Sequence, residues 1–395
     1  MNLLKQKQAL LAPILVLVVV VIFSLTLASS VNPTPKNLPI AIVNEDEGVT
    51  VPTKGEINLG KIMVSKINEV TNSQNESAVN WIHVSSEDKV RRGLDDKKYY
   101  AALILPKDLS QKQATLKTAN PSPIEIKVLL NQGMNANAST ISGQILNNVV
   151  NQLSMNIRTE VLSELEKNNS LISAKQASVL ASPIINNIEN VNEIGTNTAN
   201  GNAPVILITP LWMSSLIGAV IIFLGKKKIN MTTSVNKFKV ILEQVALAII
   251  LALVAGFGIT YMADWIGFII PNFMDTALYL TIAYFSFHIL ISAVMSWVGF
   301  GGVGLFALIF FFAGSIIGMA PELLPKFTHD WIYSWVPMRF GADGLREIFY
   351  FGKELSFSHS MVILVWIASV STIILFASTF KQNKIAKEQQ LSINE

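Results

Sequence analysis

The chain contains no cysteine among its 395 residues, so disulfide bonds, thiolate metal sites and cysteine nucleophiles are excluded. Charged residues make up 14% of the sequence, against about 25% in a typical soluble domain. This deficit lies in a few long apolar runs. The formal net charge of +3 comes mostly from lysines beside those runs. The sequence therefore shows no basic patch suited to nucleic acid.

Six apolar runs are long enough, the fifth with part of its flanks, to cross the hydrocarbon of a bilayer, which takes roughly 20 helical residues. The first run stands alone near the start of the chain. Its length favours a retained anchor over a cleaved signal peptide, whose apolar core is usually about 7–15 residues. The runs fall at about 9–28, 205–224, 240–262, 277–298, 305–319 and 361–380.

The spacing of these runs predicts a polytopic α-helical membrane protein with six transmembrane helices in a 1+5 arrangement. A long polar excursion separates the first helix from the other five and is large enough to bury its own core. We expect it to form an extracytoplasmic α/β domain that carries a helical hairpin. The predicted parts are an N-terminal transmembrane helix (1–29), the inserted domain (30–203), the five-helix domain (204–380) and a cytoplasmic tail (381–395).

The orientation follows from the lysines, because short cytoplasmic loops are rich in Lys and Arg. Lys5 and Lys7 precede the first run, and three lysines follow the last one. The loop 263–276 carries two aspartates and no Lys or Arg, as expected of an outside loop. Both termini are therefore predicted to be cytoplasmic, with 30–203 outside a plasma membrane that the lack of disulfides suggests is bacterial. The loop after the second run contains Lys226, Lys227, Lys228, Lys237 and Lys239.

Short apolar segments in the excursion alternate with amphipathic ones, which is typical of a compact α/β domain. We predict strands at 38–43, 81–84, 99–105 and 124–130, and helices at 56–70 and 87–95, the second opened by Ser85 or Ser86. Apolar residues then recur every four positions along 141–165, and a second apolar stripe with helical spacing runs along 172–191. This spacing predicts two helices in a hairpin. Their apolar stripes are expected to pack against the domain itself or, as the alternative, against a second copy of the chain.

The acidic segment 44–48 has two interpretations. Its carboxylates could hold a cation, or its Asn and Asp side chains could cap the backbone of a solvated turn. The spacing does not match a calcium-binding loop, so the turn is favoured.

Two glycine-containing segments resemble nucleotide-binding motifs but lack the required context. The segment 299–304 fits GxGxxG, yet it follows a membrane run rather than a strand. The segment 218–228 has the wrong spacing for a phosphate loop and no Ser or Thr after its lysine. The sequence also shows no carboxylate pair, catalytic triad or histidine cluster. We therefore expect no enzymatic activity, no cofactor and no metal site.

A few polar residues and glycines inside the membrane runs are candidates for function or packing. His288 is either a functional group or, as favoured, a neutral ring bonded to a backbone carbonyl. Glu243 can pair with Lys239 one turn earlier. Gly314 and Gly318 form a GxxxG pattern that predicts a close helix contact, either within the chain or between two copies.

The segment 321–360 precedes the last run and has features of a membrane interface. Trp331, Tyr333 and Trp335 suit an aromatic belt at headgroup depth. The residues 343–351 predict a short interfacial helix in which Arg346 pairs with Asp343 or Glu347.

Three segments resemble a known family. They are LPIAIVNEDEG at 38–48, YYAALILP at 99–106, and VPM followed by GLRE within 336–347, where Pro337, Arg346 and Glu347 stand. Together with the 1+5 pattern they resemble the phage-infection-protein (YhgE/Pip) family, a branch of the ABC-2-type exporter permeases. The chain differs from that family at Arg339 and Phe340, where a small polar residue and Tyr are usual, and in its shorter outer region.

This resemblance implies a homodimer of six-helix subunits that exports a hydrophobic or amphipathic substrate across the lipid bilayer. It also implies a separate cytoplasmic ATPase, which would dock on the basic loop between Gly225 and Lys239. Some members of the family are known as surface receptors. The alternative function is therefore a cell-surface scaffold or receptor, phage-receptor-like or accessory to secretion, that acts through 30–203 without transport.

Overall fold

The structure is a computed structural model. It describes residues 35–51, 55–72, 77–229 and 233–381, together with Leu17. The predicted first membrane helix, apart from Leu17, and the tail beyond 381 lie outside the described residues. Two compact units are present. One contains Thr196–Gly318 and continues from Pro325, and the other contains the polar excursion up to Gly195 together with Met319–Leu324.

The unit that contains the excursion up to Gly195 and Met319–Leu324 is here called the polar unit. A five-stranded mixed sheet is its centre, as the alternation of elements predicted. Its strands are β1 (Leu38–Asn44), β4 (Val79–Val84), β5 (Ala101–Leu105), β6 (Ile124–Asn131) and β7 (Ile184–Val191), and a separate hairpin is formed by β2 (Val49–Val51) and β3 (Gly55–Ile57). The strand order is β4-β1-β5-β6-β7. Strands β4, β1 and β5 are parallel to one another, while β6 is antiparallel to β5 and parallel to β7.

Five helices cover the sheet. They are α1 (Leu59–Asn72), α2 (Glu87–Asp95), α3 (Leu109–Thr115), α4 (Ala136–Lys167) and α5 (Ala174–Ala181). Because side chains alternate between the faces of a strand, Ile40 and Ile42 of β1 point to one core and Ala41 and Val43 to another. The first core also contains residues of α1, α3, α4 and α5, and the second contains residues of α2.

Helix α4 confirms the first of the two predicted apolar stripes. It is 32 residues long, and Asn135 caps its start by accepting a hydrogen bond from the Ala138 amide. Leu153, Ile157, Val161 and Leu165 of the predicted stripe are buried in the sheet-facing core. The stripe therefore packs against its own domain.

The predicted helical hairpin is wrong. After α4 the chain forms only the eight-residue helix α5, and Ile184–Val191 is the strand β7, which pairs along its whole length with β6. Pro183 explains the change, because a residue before proline is pushed out of the helical conformation. The predicted start of the helix at 56–70 is also wrong, since Gly55–Ile57 forms β3 and the helix begins at Leu59.

Each of the five clustered apolar runs lies in a helix of the second unit, here called the helical unit. Its long helices are α6 (Ala203–Lys226), α7 (Ser234–Ile266), α8 (Phe273–Val298), α9 (Gly302–Ile316), α10 (Pro337–Tyr350) and α11 (His359–Ala377). Among the described residues, four helical stretches are long and apolar enough to cross a membrane: Ala203–Lys226, Ser234–Ile266, Phe273–Ile316 and His359–Phe380.

The third of these stretches consists of two helices, α8 and α9, joined by a 3-10 turn at Gly299–Gly301. Gly299 has φ +82°, a backbone conformation that favours glycine. The other end of α9 returns to the start of α6, since an added Cβ at Gly318 would lie 3.5 Å from Asn202 Oδ1. Helix α9 has 15 residues and is therefore about 22 Å long at 1.5 Å per residue, shorter than the other candidate spans.

Helix α8 is the centre of the helical unit and packs against α6, α7, α9, α10 and α11. Asn272 caps its start by accepting from the Asp275 amide. The helix predicted at 343–351 begins earlier, at Pro337, and nearly all of its residues are buried against α6, α8 and α11. It is therefore an integral part of the bundle and not a helix lying on its surface. Of the predicted aromatic belt, Trp331 and Trp335 are exposed but Tyr333 is buried.

Candidate functional site

The basic loop predicted as a docking site lies at one end of the helical unit, between α6 and α7. Lys226 is half-buried, and its amine donates to Gln244 Oε1 of α7 at 3.3 Å. Lys227 is exposed with its amine 4.9 Å from the centre of the Phe223 ring. Lys228 and Lys239 are exposed, and the residues 230–232 between them lie outside the described part.

Other helix ends meet at the same place. The amine of Lys237, at the start of α7, donates to the Lys381 carbonyl at 3.0 Å. The amine of Lys381 in turn donates to the Trp297 carbonyl at the end of α8, at 2.7 Å, and the Trp297 indole donates to the Ile374 carbonyl of α11. The basic end of the unit is thus formed by segments far apart in sequence, and it presents several ammonium groups that could bind acidic side chains of a partner.

A cavity of about 280 Å³ opens beside the basic loop. Lys226, Glu243 and Gln244 supply its polar lining, and aliphatic residues of α6 and α7 supply the rest. The predicted ion pair between Glu243 and Lys239 is not formed among the described residues. Both side chains are exposed, and such a pair on a helix surface gains little once it is solvated.

His288 lies in α8 and is fully buried. Neither ring nitrogen has a described hydrogen-bond partner at standard distance and angle. The Ser215 backbone of the neighbouring helix α6 is nevertheless placed as a hydrogen-bonding group for the ring, so the expected partner is present but the bond is not ideal. The ring stacks on Tyr284, with centroids 5.7 Å apart, and packs over Gly218 of α6. The buried Trp212 indole N–H also has no hydrogen-bond partner in the part of the chain that the structure describes. This α6–α8 contact is therefore polar but incompletely hydrogen-bonded.

The motif before the last helix holds α10 in place. As predicted, Arg346 pairs with Asp343, with Nη1 2.6 Å from Oδ1. Its Nη2 also donates to the Ile317 carbonyl at the end of α9. Pro337 is the first residue of α10, where its missing N–H costs no helical hydrogen bond, and Glu347 lies 3.8 Å from the Lys353 amine. Of these residues, Arg346 joins α10 to the end of α9.

Within the described part of the chain, Gly314 of the predicted glycine pair makes no close helix contact, and Gly318 approaches only the residue before α6. Gly314 is exposed on α9 with nothing within 4 Å of an added Cβ, and Gly318 lies beyond the end of the helix. Close helix approaches use other glycines. An added Cβ at Gly256 of α7 would lie 2.7 Å from the Ala277 carbonyl of α8, and Gly344 of α10 meets Tyr279 of α8 in the same way.

The acidic segment after β1 is a backbone-capping turn. Asp46 is buried and accepts four hydrogen bonds, from the Gly48, Gly60 and Ser110 amides and from the Ser110 hydroxyl. Its carboxylate oxygens are thus directed at N–H and O–H donors, which supports the second of the two interpretations. No cluster of three or more potential metal-binding side chains occurs in the described residues.

A polar cleft of about 230 Å³ lies at the carboxyl ends of β1 and β5. At its edge, Glu87 accepts hydrogen bonds from the Lys127 amine and from Arg91, and Arg91 also holds Glu189 of β7. Burial alone would raise the pKa of the Glu87 carboxyl, but the hydrogen bonds from Lys127 and Arg91 outweigh it, so the pKa lies below its ordinary value of 4.5.

We expect Glu87 to make the polar unit sensitive to acid. A carboxyl with a lowered pKa stabilises the fold above its unfolded pKa, and this contribution is lost as the pH falls through the folded value. Thermal unfolding midpoints of the full chain, measured from neutral pH to below 4.5, should therefore fall less steeply for Glu87→Gln than for the wild type. The matched control is Glu160→Gln, which alters an exposed carboxylate of α4. Equal slopes for all three proteins would contradict the assignment.

Sequence reasoning missed the six residues that return to the polar unit. Within that unit, Tyr100 donates from its hydroxyl to Glu322 Oε2 at 2.7 Å, and the Lys36 amide donates to the Glu322 carbonyl. Ala320 and Leu323 share a core cluster with Leu38. The acidic residue Glu322, set between Pro321 and Pro325 directly after an apolar run, was the available signal.

Comparison with known proteins adds one finding. A family model described as ABC-2 family transporter protein matches residues 7–379 and so covers both units. No curated protein matches the chain, and no solved structure matches it.

Proposed function

The chain belongs to the ABC-2 transporter family, and from this premise we propose that it is the permease subunit of an exporter powered by a separate ATPase. It is a multi-pass membrane protein. We place it in the YhgE/Pip branch on the residues 38–48, 99–106 and 336–347. As a homodimer it would move a hydrophobic or amphipathic substrate out of a bacterial cell. Both termini would be cytoplasmic, 30–203 extracellular, and the chain itself would catalyse no reaction.

The basic end of the helical unit is the observation that carries the ATPase part of this proposal. It brings the start of α7 together with the ends of α8 and α11, and Lys226 at the end of α6 donates to Gln244 of α7. A partner that contacts this end would therefore touch four helices at once. A conformational change in the partner could then displace α8, the central helix. Exposed Lys227, Lys228 and Lys239 offer charges to an acidic partner surface, which favours fast and selective association.

The size of the helical unit supports transport over a receptor role. One span is enough to anchor a surface domain, whereas this chain has four helical stretches in the described residues that are fit to cross a membrane. The other long helices of the unit pack around α8, which belongs to the third stretch. A scaffold or receptor acting through the polar unit remains the outcome that the following test would favour if no ATPase is found.

The test is purification of the tagged protein from its native membrane in mild detergent, scored for a co-purifying ATPase. We expect stoichiometric recovery with the wild type. Recovery should fall by about tenfold in Lys227→Glu/Lys228→Glu, because the two reversed charges together cost roughly 1.4 kcal/mol of binding free energy against an acidic partner. Lys226 is left unchanged because it is half-buried and bonded to Gln244.

The matched control is Lys61→Glu/Lys175→Glu, which makes the same charge change at exposed positions of the polar unit. This variant should retain the ATPase. A clean homodimer without ATPase in the wild type would refute the permease proposal. It would make the polar unit the working part of a scaffold or receptor.

A further inference from the structure

The polar unit contains a cavity of about 430 Å³ between α1, the start of β4 and the middle of α4. Its volume lies within the range of small-molecule sites, about 300–1,000 Å³. Ile67, Val79 and Leu153 line it and belong to the core that faces the sheet. Trp81 and Val149 line it as well and pack against that core. The cavity is therefore an opening in the hydrophobic core itself.

One wall of the cavity is formed by α4. Lining residues of α4 run from Ile145 to Asn156, which spans about 16 Å at 1.5 Å per residue. Residues four apart lie on one face of a helix. An apolar row that includes Val149 is thus flanked by a row of amides that contains Asn148, Gln152 and Asn156. A ligand would meet hydrocarbon along the inside and hydrogen-bonding groups along the outer edge.

One cation lies at the rim. Lys66 of α1 lines the cavity and is exposed, and it forms no ion pair with another described side chain. Among the residues whose side chains the structure describes, no acidic one lines the cavity. The described part of the rim therefore carries a positive charge, which favours an anionic group over a cationic or neutral one.

We propose that this cavity binds a single long alkyl chain that ends in an anionic head, with the chain along α4 and the head at Lys66. Each methylene group that leaves water favours binding by about fourfold, so a chain that fills the groove needs few polar contacts. The inference rests on the proposed function, which it deepens by giving the amphipathic substrate a binding site in the polar unit. The polar unit is then a substrate-binding domain and not a spacer.

The first experiment maps the site with a photoreactive long-chain fatty acid and the full-length protein in detergent. We expect cross-links in peptides that contain 59–67 or 145–156. Labelling should fall by about tenfold or more in Val149→Trp, because an indole placed in the groove prevents at least two methylene groups from being buried.

The matched control is Met155→Trp, which introduces the same side chain at an exposed position of α4 that does not line the cavity. It should be labelled like the wild type. Thermal unfolding checks that both variants are folded. Wild-type labelling in a folded Val149→Trp protein, or cross-links confined to other peptides, would overturn the proposal.

The second experiment tests the contact between the anionic head and Lys66. It uses substitutions at exposed positions, which do not disturb the core. Lys66→Glu should weaken labelling by the fatty acid about threefold or more, as expected for a reversed rim charge, and should leave labelling by a photoreactive long-chain alcohol unchanged. Lys61→Glu, on the same helix but outside the cavity, should change neither. Equal fatty-acid labelling of wild type and Lys66→Glu would overturn the assignment of the head.

A two-chain phospholipid with the same photoreactive group distinguishes the two possible sources of an alkyl chain. It should label the cavity far less than the fatty acid, since the space suits one chain. Labelling as strong as that of the fatty acid would overturn the substrate assignment in favour of a resident bilayer lipid. None of these measurements needs an ATPase. Cavity labelling without a co-purifying ATPase would thus refute the permease proposal alone. A co-purifying ATPase without cavity labelling would refute this inference alone.

Discussion

Replacing Gly344 by alanine should destabilise the helical unit by about 3 kcal/mol, at the upper end of the usual cost of overpacking a core. The added Cβ would lie 2.0 Å from the Tyr279 hydroxyl and 2.3 Å from Cζ of its ring. Tyr279 has no room to retreat, because it is 2% exposed and donates a hydrogen bond to the Phe340 carbonyl at 2.7 Å. A lower thermal unfolding midpoint of the purified protein in detergent would be the expected result.

Gly314→Ala is the matched control, since it adds the same methyl group where nothing lies within 4 Å. Its effect should be close to zero or slightly stabilising, because alanine favours a helix over glycine by about 1 kcal/mol. The double variant Tyr279→Leu/Gly344→Ala should recover part of the loss if the contact between these residues is the cause. Equal midpoints for Gly344→Ala and Gly314→Ala would show that α10 and α8 do not pack as described.

Long apolar runs and regular alternation were sufficient to predict much of the fold. A run such as Ser234–Ile266 has one stable solution in a membrane, a helix that satisfies its own backbone, so all five clustered runs were found as helices. The strand β1 was predicted with similar ease, because the short apolar segment 38–43 is followed directly by a polar turn. Ser86 caps α2 at one of the two positions expected from the sequence.

The error at β7 shows where such patterns fail. A spacing of four is compatible with one face of a helix and, being even, also with one face of a strand. Ile184 and Ile188 therefore could not decide between the two structures. The decisive interaction is the pairing of β7 with β6, a contact that no local pattern encodes. Pro183 was the one local signal against a continuous helix.

The sequence predicted those candidate sites that can be recognised from individual residues. The basic loop and His288 were identifiable because lysines flank a span and ionisable groups in a span are rare. The contact of Lys237 with Lys381, the return of Met319–Leu324 to the polar unit, and the cavity beside Trp81 each join segments distant in sequence. They depend on topology, so the sequence alone could not predict them.

Replacing Asp46 by alanine should cost the polar unit about 3–5 kcal/mol, because three backbone amides would lose their acceptor in a buried site and each such loss costs roughly 1–3 kcal/mol. Asp46 Oδ1 accepts from the Gly48 and Ser110 amides at 3.2 and 3.0 Å, and Oδ2 accepts from the Gly60 amide at 2.9 Å. These bonds tie the end of β1 to the starts of α1 and α3. Hydrogen–deuterium exchange of the full-length protein, which resolves local opening, should become much faster in peptides from these three segments.

The neighbouring residue provides the control for this effect. Glu47 is exposed, so Glu47→Ala removes an equal charge from the same turn and should leave exchange in β1, α1 and α3 close to that of the wild type. Asp46→Asn should fall between the two, because its amide keeps an acceptor for the amides at one oxygen but presents N–H groups to the Gly60 amide. Such an order would separate loss of hydrogen bonds from loss of charge. If Asp46→Ala and Glu47→Ala exchanged at the same rate, the carboxylate would contribute only its charge, and the cation-binding interpretation of this acidic segment would have to be reopened.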